Sequence, residues 1–316
     1  MSAMRTVYHY QKNLIETPRI LSYLTSRGLS EETIKYFHLG LSTSYVEEKR
    51  VDGIEMHKGK HPYFTHRIMI PIAKNIFTGR DVLDLDEKYL SSDAIATRDR
   101  DATKDYINPK YKHSTRYLKG EMLFNHKSLK GKDVAVIMES QFNVMSLHQG
   151  LKEGGLDKKY GGVGIGGSDI TQEHLDIIKS YGIGNIVLML DGDRAGVRGM
   201  AKSVTLIIKN GFDFKIVVID DGQDVNDILV SSKNNTDFLK NTILKKKKNP
   251  LIFYAQYMMS FKRVRERDEL LKEMIDVINP SIMSRTIFKE VQNYLSEKKY
   301  YDSQAIRYVR LFFQIP

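Results

Sequence analysis

Three apolar runs, each closing on carboxylates, constrain this chain more than anything else in it. Val134-Ala135-Val136-Ile137-Met138 ends in Glu139, and Asn185-Ile186-Val187-Leu188-Met189-Leu190 ends in Asp191-Gly192-Asp193-Arg194-Ala195-Gly196. Phe214-Lys215-Ile216-Val217-Val218-Ile219 ends in an acidic stretch from Asp220 to Asp227. Helix-length segments separate the runs, so the pattern is β-α-β-α-β: buried parallel strands with helices packed on the sheet and the acids on one edge. Open α/β sheets bind their ligands at that edge, outside the strands' carboxyl ends. Asp191 and Asp193 stand at i, i+2, which in extended chain places both on the same side. Convergent carboxylate oxygens with room for water suit Mg²⁺. A plainer role is also open for Asp193, as the cap of the helix that follows. One strand ending in an acid means little; three in succession form a specific signal.

Glu139, the run Asp191-Gly192-Asp193-Arg194-Ala195-Gly196 and Gly222-Gln223-Asp224-Val225-Asn226, each following a strand, resemble the TOPRIM domain of bacterial and phage DNA primases. Segments upstream are similar as well. Ser26-Arg27-Gly28-Leu29-Ser30 leading to Phe37-His38-Leu39-Gly40 resembles the start of the primase polymerase core, as does Arg67-Ile68-Met69-Ile70-Pro71-Ile72. Asn108-Pro109-Lys110-Tyr111-Lys112-His113-Ser114, followed by Lys119-Gly120-Glu121-Met122-Leu123-Phe124, resembles the stretch just before the TOPRIM domain. The likeness runs from about Arg19 to the C-terminus and is strongest over Pro109–Leu229.

The resemblance implies an α/β chain, α+β overall. Its expected parts are a basic mixed subdomain over 1–130, a TOPRIM-like βαβ catalytic unit over 131–232 and a C-terminal helical bundle over 233–316. It implies synthesis of short RNA primers on single-stranded DNA. Glu139, Asp191 and Asp193 would be catalytic, and with Asp224 would hold a pair of Mg²⁺ or Mn²⁺ ions. Arg67, Lys110 and Lys119 are nominated to face phosphates of nucleotide or template, with Asn143, Arg194 and Asn226 as auxiliary residues. Ribonucleoside triphosphates, a replicative helicase and a separate template-recognition factor are the implied partners. Two departures stand out. Asn143 occupies a position where many bacterial primases carry aspartate, and Asp224-Val225-Asn226 replaces a frequent Asp-x-Asp, a form that looks like the phage pattern. The glycine-rich turn ending in arginine that usually follows the Arg67-type strand survives only as Gly79-Arg80, so the family arginine could be Arg80, Arg98 or Arg100.

The chain has no cysteine, which rules out disulfides and thiolate metal sites, and no zinc module is expected. No apolar stretch approaches the roughly 20 residues of a membrane span. The first residues lack the apolar region of a signal peptide, so a soluble, cytoplasmic protein is expected. The net charge of +10 is unevenly spread. Residues 1–131 hold 22 basic and 16 acidic side chains (+6), 132–230 hold 10 and 14 (−4), and 240–316 hold 16 and 8 (+8). An acidic centre between basic flanks suits metal ions in the middle and a polyanion over the arms.

The remaining segments are less telling. Residues 1–18 show no decisive pattern and read as a loosely attached arm; Arg19–Leu29 reads as a short helix closed by Gly28, and Ser30 as the cap of the next. Asp81–Asp105 reads as a charged loop, and Tyr106–Lys119 as strands in which tyrosines and lysines alternate. Gly161-Gly162-Val163-Gly164-Ile165-Gly166-Gly167-Ser168 lacks the Gly-Lys-Ser/Thr ending of a nucleotide-binding loop, so its glycines are expected to permit close packing. Lys245–Lys248 reads as a solvated linker, and Leu251–Phe313 as helical. Two other functions fit the same acids, a TOPRIM nuclease and a non-catalytic replication scaffold. Metal-dependent DNA degradation without nucleotides marks the first, and absence of metal binding the second.

Overall fold

A computed structural model of the 316-residue chain describes residues 3–43, 64–102, 108–191, 193–219, 225–231, 248–260, 265–266 and 269–270. The chain divides into two units, Met1–Leu118 and Lys119–Pro316.

The first unit is built on an antiparallel sheet of four strands in the order β1 (Gly40–Ser42), β2 (Arg67–Ala73), β3 (Ile76–Asp81), β4 (Tyr111–His113). Helix α1 (Ala3–Ile15) replaces the loose arm expected at the N-terminus. Val7, Tyr10 and Leu14 recur at helical spacing; Tyr10 packs with Phe64, Met69 and Phe77, meeting the Phe77 ring edge-on at 5.8 Å. Tyr10 and Leu14 are 2% and 1% exposed, so the helix is part of the core. The polar residues between those three positions masked the pattern. Helix α2 (Pro18–Ser26) opens with a proline, and Gly28 beyond its end takes the left-handed φ of 77°. Ser30 caps α3 (Glu31–Tyr36) by accepting a hydrogen bond from the Thr33 amide. The charged stretch after β3 is not all loop: residues 92–102 form α4 (Ser92–Ala102), begun by the Ser91 hydroxyl accepting from the Ala94 amide and seated on buried Ala94.

The second unit holds a parallel sheet: β5 (Val134–Met138), β6 (Tyr160–Gly164), β7 (Asn185–Leu188) and β8 (Asp213–Ile216), ordered β6-β5-β7-β8. Connecting β5 to β6 is α5 (Gln141–Glu153); α6 (Gln172–Ser180) leads to β7 and α7 (Arg194–Lys209) to β8. Side chains alternate between the faces. Ala135, Ile137, Ile186, Leu188, Phe214 and Ile216 join Leu175, Ile178, Met200 and Val204 of α6 and α7 in one core. Each such buried aliphatic side chain contributes about 1.5–3 kcal/mol. The opposite face is covered by α5, and here the glycine run acts as expected. A Cβ on Gly162 would stand 2.9 Å from Leu147 Cδ2 and one on Gly164 3.1 Å from Val144 Cγ2, so the absent side chains let α5 lie directly on β6.

This unit begins at Lys119, ahead of the boundary near 131 read from the sequence. Hydrogen bonds explain the difference. Phe124 pairs with Gly164, and the side chains of Asn125 and Ser128 both donate to the Gly162 carbonyl, so 119–130 is fastened to the parallel sheet. At the far edge Lys248, the last of the lysine run, pairs with Ile216 and covers β8. Short helix α8 (Val225–Ser231) takes in the end of the third acidic stretch, and α9 (Pro250–Met259) adds Leu251, Phe253 and Tyr254 to the core. The remaining helices expected in 271–313 lie outside the described residues.

Candidate active site

The sheet order fixes where a ligand fits. From β5 the chain crosses to β6 on one side, and from β7 it crosses to β8 on the other, so the connections part between the carboxyl ends of β5 and β7. Such a switch point opens a crevice. Glu139 follows β5 and Asp191 follows β7, and the structure brings these two acids together there. The Asp191 backbone N–H lies near enough to the Glu139 carboxylate to lower its pKa. Glu139 Oε2 is shielded from solvent and has no hydrogen-bond partner among the described residues. Burial and the negative charge of Asp193 push the Glu139 carboxyl above its ordinary range; the Asp191 N–H and the Lys119 cation pull the other way, and Asp169 pushes it up further.

Asp191 Oδ1 accepts a 2.7 Å hydrogen bond from Asn143 Nδ2. Asp193 is exposed and caps α7, its Oδ1 accepting from the Gly196 amide at 2.8 Å. The plainer role read for Asp193 is thus met, and the charge of the same side chain acts on Glu139. Gly196 ends the motif for a steric reason: a Cβ there would overlap the Asp191 carbonyl oxygen. Arg194 is the first residue of α7, and Asp224 lies outside the described residues. Asn226 is fully buried, its side chain donating to Ser146 Oγ at 2.6 Å.

Among the described residues no three His, Asp or Glu side chains stand close enough to enclose a metal ion. The donor set nonetheless fits a hard divalent cation: carboxylate oxygens only, one of them a shielded Oε2 lacking a partner.

The nominated cations separate into two groups. Lys119 and Lys110 are exposed, and Lys119 lies near enough to Glu139 to lower its pKa. Arg67 requires correction. It is 0% exposed, and its guanidinium donates to Gly79 O at 3.0 Å, Asn108 Oδ1 at 2.6 Å and Pro109 O at 2.9 Å, with Asp81 at 3.8 Å. A side chain turned inward onto the backbone offers nothing to a phosphate; it braces β2, β3 and the Asn108–Pro109 turn. Burial pushes the Asp81 carboxyl up, against the pull of Arg67. Of the candidates for the family arginine, Arg80 is held 5.7 Å from the ring centroids of both Tyr23 and Tyr111, and Arg98 pairs with Glu87 at 2.6 Å. The side chain of Arg100 lies outside the described residues. Tyr111 lies in β4 and is half-buried, Tyr117 lies beyond that strand and is buried, and Tyr106 lies outside the described residues.

Three residues of the site were not singled out from the sequence. Asp169, at the end of the glycine run, acts on Glu139 through its charge. Ser146 receives Asn226. His174 donates from Nε2 to the carbonyl of Lys119 at 2.8 Å, fixing the backbone that carries this lysine. Asp169 had a usable signal, an acid after a strand; the other two had none.

A parallel sheet with its acids at a switch point between β5 and β7 defines the class of the second unit, and residues 136–229 match the family model described as Toprim-like. The DNA primase of Rickettsia felis is 29% identical over 292 residues, which cover 82% of this chain and 44% of that protein. The chain thus spans less than half the length of this curated relative. The RNA polymerase domain of Mycobacterium tuberculosis primase DnaG superposes with a TM-score of 0.68 at 17% identity, covering 93% of this chain and 96% of that one. A DnaG primase catalytic domain bound to single-stranded DNA gives 0.66 at 19% identity, covering 93% and 96%. The chain is related to the bacterial DNA primases: it has the fold of their catalytic core and carries a Toprim-like domain.

Proposed function

We propose that this chain synthesises short RNA primers on single-stranded DNA during cytoplasmic replication. The observation that carries the reading is the meeting of Glu139 and Asp191 at the switch point of a Toprim-like sheet. Single-stranded DNA as template is supported by the structural relative bound to it. Ribonucleoside triphosphates are the substrates; a replicative helicase and a separate template-recognition factor are partners, and no zinc enters the chemistry.

Glu139, Asp191 and Asp193, with Asp224, would hold one or two Mg²⁺ or Mn²⁺ ions, which when bound stabilise charge on the attacking and leaving oxygens. The remaining work falls to the chain itself. The 3′ oxygen forms a bond to the α-phosphorus, the bond from that phosphorus to the pyrophosphate oxygen breaks, and the hydroxyl proton passes to Glu139. Burial and the charge of Asp193, which raise the pKa of this carboxyl, make it the better proton acceptor. Lys119 and Lys110, exposed cations, neutralise triphosphate and template charge. Arg67 positions the strands and touches no substrate.

Asp191→Asn and Glu139→Gln should each reduce ribonucleotide incorporation on single-stranded DNA at least about 100-fold, the scale seen when a preorganised electrostatic group is removed. Incorporation at the parent rate by either variant contradicts the assignment. Degradation of the template without nucleotides would identify a nuclease instead.

A further inference from the structure

We infer that Asn143 is a positioning residue that holds the carboxylate edge together without a cation. The inference rests on reading that edge as a divalent-cation site and extends it to how the site is assembled.

Asn143 is 0% exposed and sits in the first turn of α5, where its amide donates to the capping Ser140 hydroxyl at 3.2 Å. Its carboxamide works in both directions. Nδ2 donates to Asp191 Oδ1 at 2.7 Å, and Oδ1 accepts from the Asn226 backbone N–H at 3.3 Å. One turn further along α5, Ser146 Oγ accepts from Asn226 Nδ2 at 2.6 Å. Three segments remote in sequence are thereby tied at one point: the start of α5, the chain leaving β7 and the start of α8.

Only a carboxamide of this size presents a donor to Asp191 and an acceptor to Asn226 at once. Aspartate would keep the acceptor but set one carboxylate oxygen against another, an arrangement that needs a shared proton or an intervening cation. Alanine would lose both bonds. Asn143 is thus a neutral tie: the edge is formed before any cation arrives, and Asn143→Asp should make formation of that edge depend on the cation.

The experiment compares thermal unfolding of the full chain and of Asn143→Asp, each in EDTA and in excess Mg²⁺, without DNA or nucleotide. Asn143→Asp should unfold about 2–4 °C below the parent in EDTA, a drop of the size that losing one such buried bond gives in a chain this long. Mg²⁺ should then raise its midpoint by more than it raises the parent's. An asparagine that merely fills space would show no such cation dependence. Equal midpoints in EDTA, or a Mg²⁺ rise no larger than the parent's, overturn the inference. A measurement on the parent alone covers the case in which the variant fails to fold. In EDTA the Asn226 backbone amide and the Asn143 side-chain amide should exchange slowly with solvent; protection appearing only with Mg²⁺ overturns the inference. Primer synthesis by the parent is assayed alongside. Activity with an unprotected Asn226 removes the tie and leaves the proposed function standing, whereas protection in an inactive parent supports the tie and removes that function.

Discussion

At the scale of single residues, Arg67 and Glu139 show opposite uses of a charged side chain in a core. Arg67 is enclosed and donates to three carbonyl oxygens of its own unit, while Glu139 is half-buried with one carboxylate oxygen that meets no partner among the described residues. Arg67→Lys keeps the charge but loses the planar fork that reaches three acceptors together. It should lower unfolding free energy by about 2–4 kcal/mol, measured by urea denaturation. The KM for nucleotide of the folded variant should stay within about twofold of the parent's; a tenfold rise with unchanged stability, about 1.4 kcal/mol of lost binding, would restore the phosphate-facing role. The sequence made Glu139 and Asp191 legible because an acid directly after an apolar strand has few places to point. It left Arg67 ambiguous, since strand periodicity places a residue on a face without saying whether that face is wet. Asn143 was visible as a departure from aspartate, but its two-way bond depends on Asn226, far along the chain.

At the scale of elements, the strands and helices of the parallel sheet were legible for a plain reason: continuous apolar runs bounded by acids and glycines match one arrangement. Gly182 and Gly211 end α6 and α7 at positive φ, as their places in the sequence imply. Helices α1 and α4 were missed because each buries few side chains, widely spaced among polar ones. The cap of α6 was missed for a chemical reason. Its reciprocal capping box has His174 where glutamate or glutamine is usual, the Thr171 hydroxyl accepting from the His174 amide and His174 Nδ1 accepting from the Thr171 amide. Since Nδ1 accepts, the ring proton is on Nε2, which donates to Lys119 O. Protonation would break the Thr171 bond, and burial lowers the pKa of His174. A histidine whose folded pKa lies below the unfolded value of about 6.5 gives stability that is complete above that pH and is lost as pH falls towards the folded pKa. His126, also lowered by burial, acts in the same direction. Stability measured by denaturant unfolding should therefore fall between about pH 7 and pH 5, and His174→Gln should flatten part of that fall. Parallel pH profiles for parent and variant would show that His174 is not held neutral.

At the scale of the whole molecule, the sequence showed an acidic middle between basic flanks. The second unit turns the ends of parallel strands to one edge, and Glu139 and Asp191 come near each other there although 52 residues apart in the chain. What the sequence could not show is where the units divide, because the fastening of 119–130 to the parallel sheet runs through hydrogen bonds to the backbone of Gly162 and Gly164. Those contacts leave no hydrophobic signature to read. On the proposed function, folding alone makes Glu139 and Asp191 two ligands of one divalent ion. Anomalous diffraction from crystals of the full chain soaked in Mn²⁺ tests it directly. A peak bonded to carboxylate oxygens of both Glu139 and Asp191 is the predicted result; a saturating soak that leaves this crevice without a peak, or places Mn²⁺ only on acids elsewhere, would contradict it.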